Sequence, residues 1–293
     1  MPILIVYAPQ LGSFMALEQH APVKSPEEAY GFGSTDLAII VLSCDKYSDL
    51  WAPFFYCFHR YWPLCPFPVY LFANERKFET TKGVTTVLSG PDRDWSSSIK
   101  ACLEQIQHEY VLVLFDDVFL CEPVETTAIA PLLSWLNRNK PAYLRFRPVP
   151  RPDERISTEI GRYHELTLYR TAVLAIWKRE AFLNILKPGE SAWQLEIEGA
   201  QRSMRYPDFY GCYRNHLNYV HGVEKGKWFP AAVSWLDEIG APVLVTDREI
   251  MTKKDFARSV FGKVREAIFN HSPASLRPHL ILASRTVQKL LGC

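Results

Sequence analysis

No C-x-x-C pair occurs among the seven cysteines, at positions 44, 57, 65, 102, 121, 212 and 293. Their odd number and lack of paired spacing argue against both a zinc site and a disulfide framework. Most sit within apolar runs, so they read as reduced, buried thiols of a cytosolic protein. No apolar run approaches the roughly 18 residues that a membrane-spanning helix needs. The opening "MPILIVYAPQ" lacks a basic leader, and its apolar core is too short for a secretory signal. A net charge of +1 gives no reason to expect a nucleic-acid partner. Internal repeats and low-complexity segments are absent.

What charge there is lies unevenly. From Asp247 to the end there are nine Lys/Arg against four Asp/Glu, so +5, leaving −4 on the rest. A basic tail on a mildly acidic body suggests a surface that meets something anionic. Within it, "KKDFARSVFGKVREAIFNH" sets Phe256, Val260, Val264 and Ile268 on one helical face. Lys253, Lys254, Arg258, Lys263 and Arg265 surround that stripe, as expected of a helix lying on an anionic membrane. The same stripe would equally serve to pack against the rest of the protein.

From residue 36 strands alternate with helices. "DLAIIVLSC" (36–44) is a continuous apolar run, the mark of a strand covered on both faces. An aromatic helix over 48–62 follows, then strands over 68–74 and 84–90, and a capped helix over 94–107. A strand within "EYVLVLFDDVFL" (109–120) precedes a helix near 126–138. Further strands are predicted over 141–148 and 169–177, and a helix over 178–186. This order predicts an α/β fold with a mainly parallel central sheet flanked by helices. Ligands of such sheets bind at the carboxyl ends of strands.

Two stretches fall at such ends: "SCDKY" (43–47) and "FDD" (115–117). Two adjacent carboxylates after five apolar residues are costly unless something pays for their burial. Held where a strand ends, Asp116 and Asp117 can bind Mg²⁺ or Mn²⁺, which commonly takes one or two carboxylates plus substrate phosphates. The bland alternative is a helix cap beside a solvated turn acid. Asp45 can hydrogen-bond a base and Tyr47 stack on it, or Asp45 can cap the next helix. Trp95 and Ser96 stand at a helix N-terminus, a natural place for an anion; Lys100, one turn on, reads as a solvated helix lysine.

These pieces, in order, resemble GT-A glycosyltransferases, and most nearly the bacterial enzymes that build surface polysaccharides such as lipopolysaccharide and capsule. "LSCDKYSDLWAPFF" (42–55) is similar to their first strand and helix, "DWSSSIKACLEQIQHEYVLVLFDDVFL" (94–120) to their helix and acidic strand, and "SAWQLEIEGA" (191–200) to their tryptophan-plus-glutamate acceptor motif. The resemblance spans about residues 36–228. It implies a GT-A domain over 1–245 with a basic helical extension over 246–293. It further implies a nucleotide-sugar donor contacted by Ser43, Asp45, Tyr47, Trp95, Ser96, Asp116 and Lys227, and a glycan or lipid-linked acceptor on Trp193. The usual acidic motif is D-x-D; here it is Asp-Asp-Val, and some members of this fold work without metal.

"VHGVEKGKW" (220–228) resembles the closing H-x-x-G-x-x-K-x-W of glycogenin-related transferases, with its glycines at 222 and 226 and its tryptophan one residue early. That implies His221 on the metal beside Asp116 and Asp117, and Lys227 on the diphosphate. In "SAWQLEIEGAQR", Glu196 and Glu198 share a face if the segment is extended and diverge if it is helical. A carboxylate beside an aromatic platform can take the acceptor's proton, and Glu196 matches the motif's position, with Asp208 a weaker candidate. His59, His108 and His164 read as packing partners. The expectation is an inverting, nucleotide-sugar-dependent transferase at the cytosolic face of the plasma membrane. Its rivals are a sugar-phosphate nucleotidyltransferase, whose glycine- and arginine-rich signature is missing, and a non-catalytic carbohydrate-binding protein.

Overall fold

The structure is a computed structural model that describes residues 36–79, 83–165, 167, 170–243, 248–252 and 255. Its first part alternates strand and helix as expected. Strand β1 (Leu37–Leu42) leads through a 3-10 turn into α1 (Trp51–Tyr61), followed by β2 (Val69–Ala73), β3 (Val84–Leu88), α2 (Trp95–Leu103) and β4 (Tyr110–Phe115). All six residues of β1 are buried. Leu37, Ile39 and Val41 pack with Trp51, Phe54 and Phe58 of α1, while Ile40 and Leu42 pack with Ile99, Cys102 and Leu103 of α2. Burying such a side chain stabilises by about 1.5–3 kcal/mol, which explains why a strand covered on both faces carries no polar residue.

After β4 come a short β5 (Val118–Leu120), α3 (Thr126–Asn139), β6 (Tyr143–Arg145), β7 (Glu154–Arg155), β8 (Ile160–Arg162), β9 (Ile176–Lys178), α4 (Arg179–Ile185) and α5 (Ala192–Arg202). The chain then runs through β10 (Phe209–Cys212), β11 (Tyr219–His221), β12 (Val223–Glu224), β13 (Lys227–Trp228) and α6 (Pro230–Glu238). The main sheet has the order β3-β2-β1-β4-β9-β6-β10-β8-β7. Its longest pairings, β3 with β2, β2 with β1 and β1 with β4, are parallel. The expected α/β architecture, a mainly parallel sheet flanked by helices, is what the chain adopts.

The sequence reading did not anticipate that β9 enters antiparallel between β4 and β6. Its strand also begins later than the expected 169. Before Ile176 the chain is held by side chains instead of a ladder: the buried Arg170 donates to the carbonyls of His164 and Tyr206 at 2.9 and 2.8 Å, and Thr171 Oγ1 to that of Leu195 at 3.2 Å. Because β9 is antiparallel to both neighbours, β4 and β6 run the same way, and so does β10. The carboxyl ends of β1, β4, β6 and β10 therefore share one edge.

Residues 248–251 are knit to this body, since Trp228 N–H donates to the Glu249 carbonyl and Met251 N–H to the Trp228 carbonyl, both at 2.9 Å. These bonds cross the expected division at 245/246. The stripe of Phe256, Val260, Val264 and Ile268 lies outside the described residues. Among the described residues no helix is long and apolar enough to cross a membrane.

Candidate functional site

The carboxyl ends of β1 and β4 lie side by side, because the register pairs Leu42 with Phe115. The next residues therefore meet. The Ser43 hydroxyl donates a short hydrogen bond to Asp116 Oδ2, and Trp51 Nε1–H donates to Ser43 Oγ at 2.6 Å. This relay fixes Asp116, which is only 4% exposed. Asp116 and Asp117 form the turn between β4 and β5, so the two acids occupy the point where the chain leaves the main sheet. Neither is the helix cap of the bland alternative.

β5 pairs antiparallel with β11, placing His221 opposite Val118 and one residue from Asp117. Gly222 N–H donates to the Asp117 carbonyl at 2.8 Å. Glycine is required at 222 by close approach: a Cβ there would lie 1.9 Å from Cε2 of Phe119. Phe119 is itself fully buried and stacked on Trp228, centroids 6.0 Å apart. The tight turn between β12 and β13 puts Lys225 and Gly226 at φ 52° and 77°, a two-residue hairpin that turns the chain directly back. The glycines of "HGVEKGKW" thus serve this geometry.

Burial pushes both carboxyls up. Asp116 stands well above the usual carboxylate range, from desolvation and then from the charge of Asp117 beside it. Asp117 is raised to about 6, chiefly by desolvation, with Glu224 adding to the rise. Arg248 opposes this on both acids. Its guanidinium forks onto Asp49, Nε to Oδ2 at 2.6 Å and Nη2 to Oδ1 at 2.8 Å, and lies 4.0 Å from the centroid of the Tyr47 ring. Burial first, and the two acids after it, raise the Tyr47 hydroxyl, while Arg248 counters. Tyr47, Asp116, Asp117 and Arg248 form one electrostatic cluster. Sequence reasoning found all of it but Arg248 and Asp49, which stand 199 positions apart with no local pattern to join them.

Other expected residues are engaged elsewhere. The Asp45 carboxylate accepts the backbone N–H groups of Asn74, Glu75 and Arg76, at 3.0, 3.0 and 3.1 Å, so it organises the loop after β2 instead of facing a ligand. Asp94 caps α2 through Ser97 N–H at 2.9 Å, and the Ser96 amide donates to the Glu190 carbonyl at 3.1 Å. With a carboxylate already seated there, that N-terminus does not suit an anionic donor, although Trp95 does pack near Phe115 at the end of β4. Lys227 is paired with Glu249 at 3.1 Å and Asp255 at 3.2 Å. Asp208 caps the start of β6 by accepting Ala142 N–H at 2.8 Å, and His108 bridges Asp36 and Tyr70. Both are structural.

The segment around Glu196 is helical, not extended. Ser191 and Gln194 form a reciprocal capping box that starts α5. Glu196 and Glu198 consequently diverge. Glu196 acts electrostatically on Tyr143 and on the buried Arg145 at the carboxyl end of β6. Trp193, one turn earlier, is 65% exposed.

No family model and no curated protein matches the sequence. Among solved structures the chain is similar to residues 1–349 of S. aureus TarS, at 11% identity and TM-score 0.40 over 56% of this chain and 55% of that one. A second S. aureus TarS structure matches at 12% identity and TM-score 0.39, over 72% and 41%. The galactosyltransferase LgtC in complex with donor and acceptor sugar analogues matches at 11% identity and TM-score 0.32, over 73% and 84%. The chain thus spans about half the length of the TarS structures.

Proposed function

We propose that this chain is a glycosyltransferase that moves a sugar from a nucleoside-diphosphate donor to a glycan or lipid-linked acceptor. The observation that carries the reading is the Asp116–Asp117 pair at the carboxyl end of β4, Asp116 buried and fixed by Ser43 and Trp51, with β11 and its His221 paired alongside. Among the described residues no three His, Cys, Asp or Glu side chains gather into a metal-holding group. The fit to a divalent cation rests instead on donor chemistry. Two hard oxygen donors, both pushed toward protonation by burial, gain most from a cation, and substrate phosphates commonly complete the shell of Mg²⁺ or Mn²⁺. Asp116 and Asp117 would hold it together with the donor phosphates, His221 of the adjoining β11 having to close in to join them, and its charge would stabilise the leaving diphosphate.

The chain's own groups do the rest. Tyr47, backed by Arg248, is the platform for the nucleobase, with Ser43 and Trp95 bordering the donor. Lys227 reaches a diphosphate only by giving up Glu249 or Asp255, and Arg248, forked onto Asp49, contributes its charge to the acid pair from where it stands. Trp193 offers its exposed ring to an acceptor sugar. Glu196 takes the proton of the acceptor hydroxyl as that oxygen attacks the anomeric carbon in a single inverting displacement. The donor is supplied in the cytosol. The basic extension over 246–293 brings the enzyme to an anionic membrane, which flotation with anionic and neutral liposomes tests.

The first experiment is hydrolysis of a panel of nucleotide sugars with and without Mn²⁺. Release of nucleoside diphosphate from one donor, lost in Asp117→Ala, is the expected result. Nucleotide-sugar binding without any turnover would favour a carbohydrate-binding protein that keeps the fold and lacks the chemistry.

A further inference from the structure

Three strands across the sheet from β4, the same edge carries a second built feature. Tyr213 follows the carboxyl end of β10, and Arg151 and Arg155 both stack on its ring, their guanidinium carbons 5.6 and 4.9 Å from its centroid. The ring has a seat made for it. Gly161 lies beneath it, and a Cβ at that position would come within 2.3 Å of the Tyr213 hydroxyl oxygen and 2.6 Å of Pro152 Cβ. Pairing of β8 with both β7 and β10 sets Gly161 beside Arg155 on one side and Gly211 on the other. Tyr213 is further pinned by its N–H to the Glu159 carbonyl at 2.9 Å.

Two like charges on one ring repel, and each guanidinium is exposed. Among the described residues neither has a carboxylate within ion-pair distance. Arg214, next in the chain after Tyr213, is 76% exposed and paired loosely with Glu159 at 3.5 Å. By contrast, nearby Arg162 forks onto Glu154 through Nε at 2.9 Å and a second, short bond from Nη2. Of the carboxylates nearby, Glu154 and Glu159 are taken up by Arg162 and Arg214, and Asp153 by the His164 N–H and the Thr167 hydroxyl, while Arg151 and Arg155 are held by stacking. Planar guanidinium forks of this kind match phosphate and carboxylate oxygens.

We propose that Arg151 and Arg155 on Tyr213, with Arg214 beside them, form a subsite for an anionic group of the acceptor: a phosphate or carboxylate carried by the glycan. The inference rests on the glycosyl-transfer reading and adds the acceptor's class. Strand spacing of about 4.8 Å places Tyr213 roughly 14 Å across the edge from β4. That distance suits a group on a neighbouring unit of a repeating polymer, a few units from the reacting hydroxyl. Polyvalent contact along such a chain would raise avidity without any single tight site.

The test is calorimetric titration of the full chain with three oligomers of similar length: polyphosphate, polygalacturonate and neutral dextran, with an RNA oligonucleotide as a fourth arm. Binding of polyphosphate or polygalacturonate is expected, weakened at least tenfold in R151Q/R155Q and weakened by salt. Melting temperature checks that the double variant folds; R155K, which keeps the charge and loses the planar fork, should bind between wild type and the double variant. Which of the two oligomers binds distinguishes a phosphate from a carboxylate. Equal binding of dextran, tighter binding of RNA, no binding of either anionic oligomer, or an unaffected double variant would overturn the subsite. Failure of the donor-hydrolysis panel with this binding intact would instead strike the transfer reading and leave the anion site standing.

Discussion

Arg248 and Asp49 form a two-pronged ion pair at 2.6 and 2.8 Å, with side chains only 6% and 9% exposed. It ties the segment after α6 to the turn after β1. Removing one partner of a buried pair leaves the other charge stranded, at a cost of about 3–5 kcal/mol, whereas removing both costs less. Arg248→Ala should therefore lower the melting temperature sharply, and Asp49→Ala/Arg248→Ala should recover part of the loss. A double variant no more stable than Arg248→Ala would show that the pair does not fasten the segment.

Asp117→Ala should reduce transfer by about 10³-fold or more, as expected when several kcal/mol of charge stabilisation is withdrawn, while circular dichroism stays near wild type and metal-free melting at neutral pH is no lower. Near-normal turnover in a folded variant would remove the acid pair from the reaction. Asp116→Asn should be as severe and should also disturb Ser43, its hydrogen-bond donor.

The pH dependence has a definite sign. Asp117 titrates at about 6 in the fold and near 3.9 in an unfolded chain. The protonated form is thus the one the fold prefers. Stability from this group is intact below about pH 4, falls as pH rises toward 6, and is lost above it. The metal-free protein should melt progressively lower than Asp117→Asn as pH climbs from 4 to 7, and Mn²⁺ should restore the wild type alone. Parallel melting curves for the two across that range would contradict the burial argument.

Gly222→Ala should destabilise by about 1–3 kcal/mol or more through overpacking, because the new methyl collides with Phe119, a ring already pressed on Trp228. Loss of transfer should exceed what the melting shift explains, since β11 carries His221. A crystal structure or amide-exchange protection at Val220 reports the displacement.

Glu196→Gln should lose roughly 10²–10⁴-fold in transfer rate yet bind nucleotide as the wild type does. Since α5 sends the two glutamates apart, Glu198→Gln should be nearly silent. The reverse outcome would move the base two residues along.

The long elements were legible because one signal governs each. A run such as "LAIIVL" fits only a strand covered on both faces, and Asp94 or Ser191 announces a helix that side-chain capping then starts. The acid pair was legible because carboxylates after a buried strand need a reason. What escaped the sequence is set by distance or by competition. Arg248 meets Tyr47 only through tertiary folding, and nothing near either residue predicts it. Asp45 and Lys227 carry the right chemistry for a ligand, yet backbone amides claim one and two carboxylates the other. Strands of two or three residues, such as β7 or β12, are too short for an alternating pattern to show. The antiparallel insertion of β9 left no mark because a central strand is apolar whichever way it runs.

The pairing of Arg248 with the turn after β1 also sets an order of events during synthesis. The strands bearing Ser43 and Asp116 leave the ribosome first, and the cation that tempers their acids follows 132 residues after Asp116. At roughly 5–20 residues per second that is an interval of about 7–26 s. For that time the nascent chain holds the buried Asp116 and the half-buried Asp117 without Arg248 to temper them. Chains arrested before residue 248 should consequently be more protease-sensitive at neutral pH than at pH 5, and the finished chain should show a smaller difference once its last segment has docked.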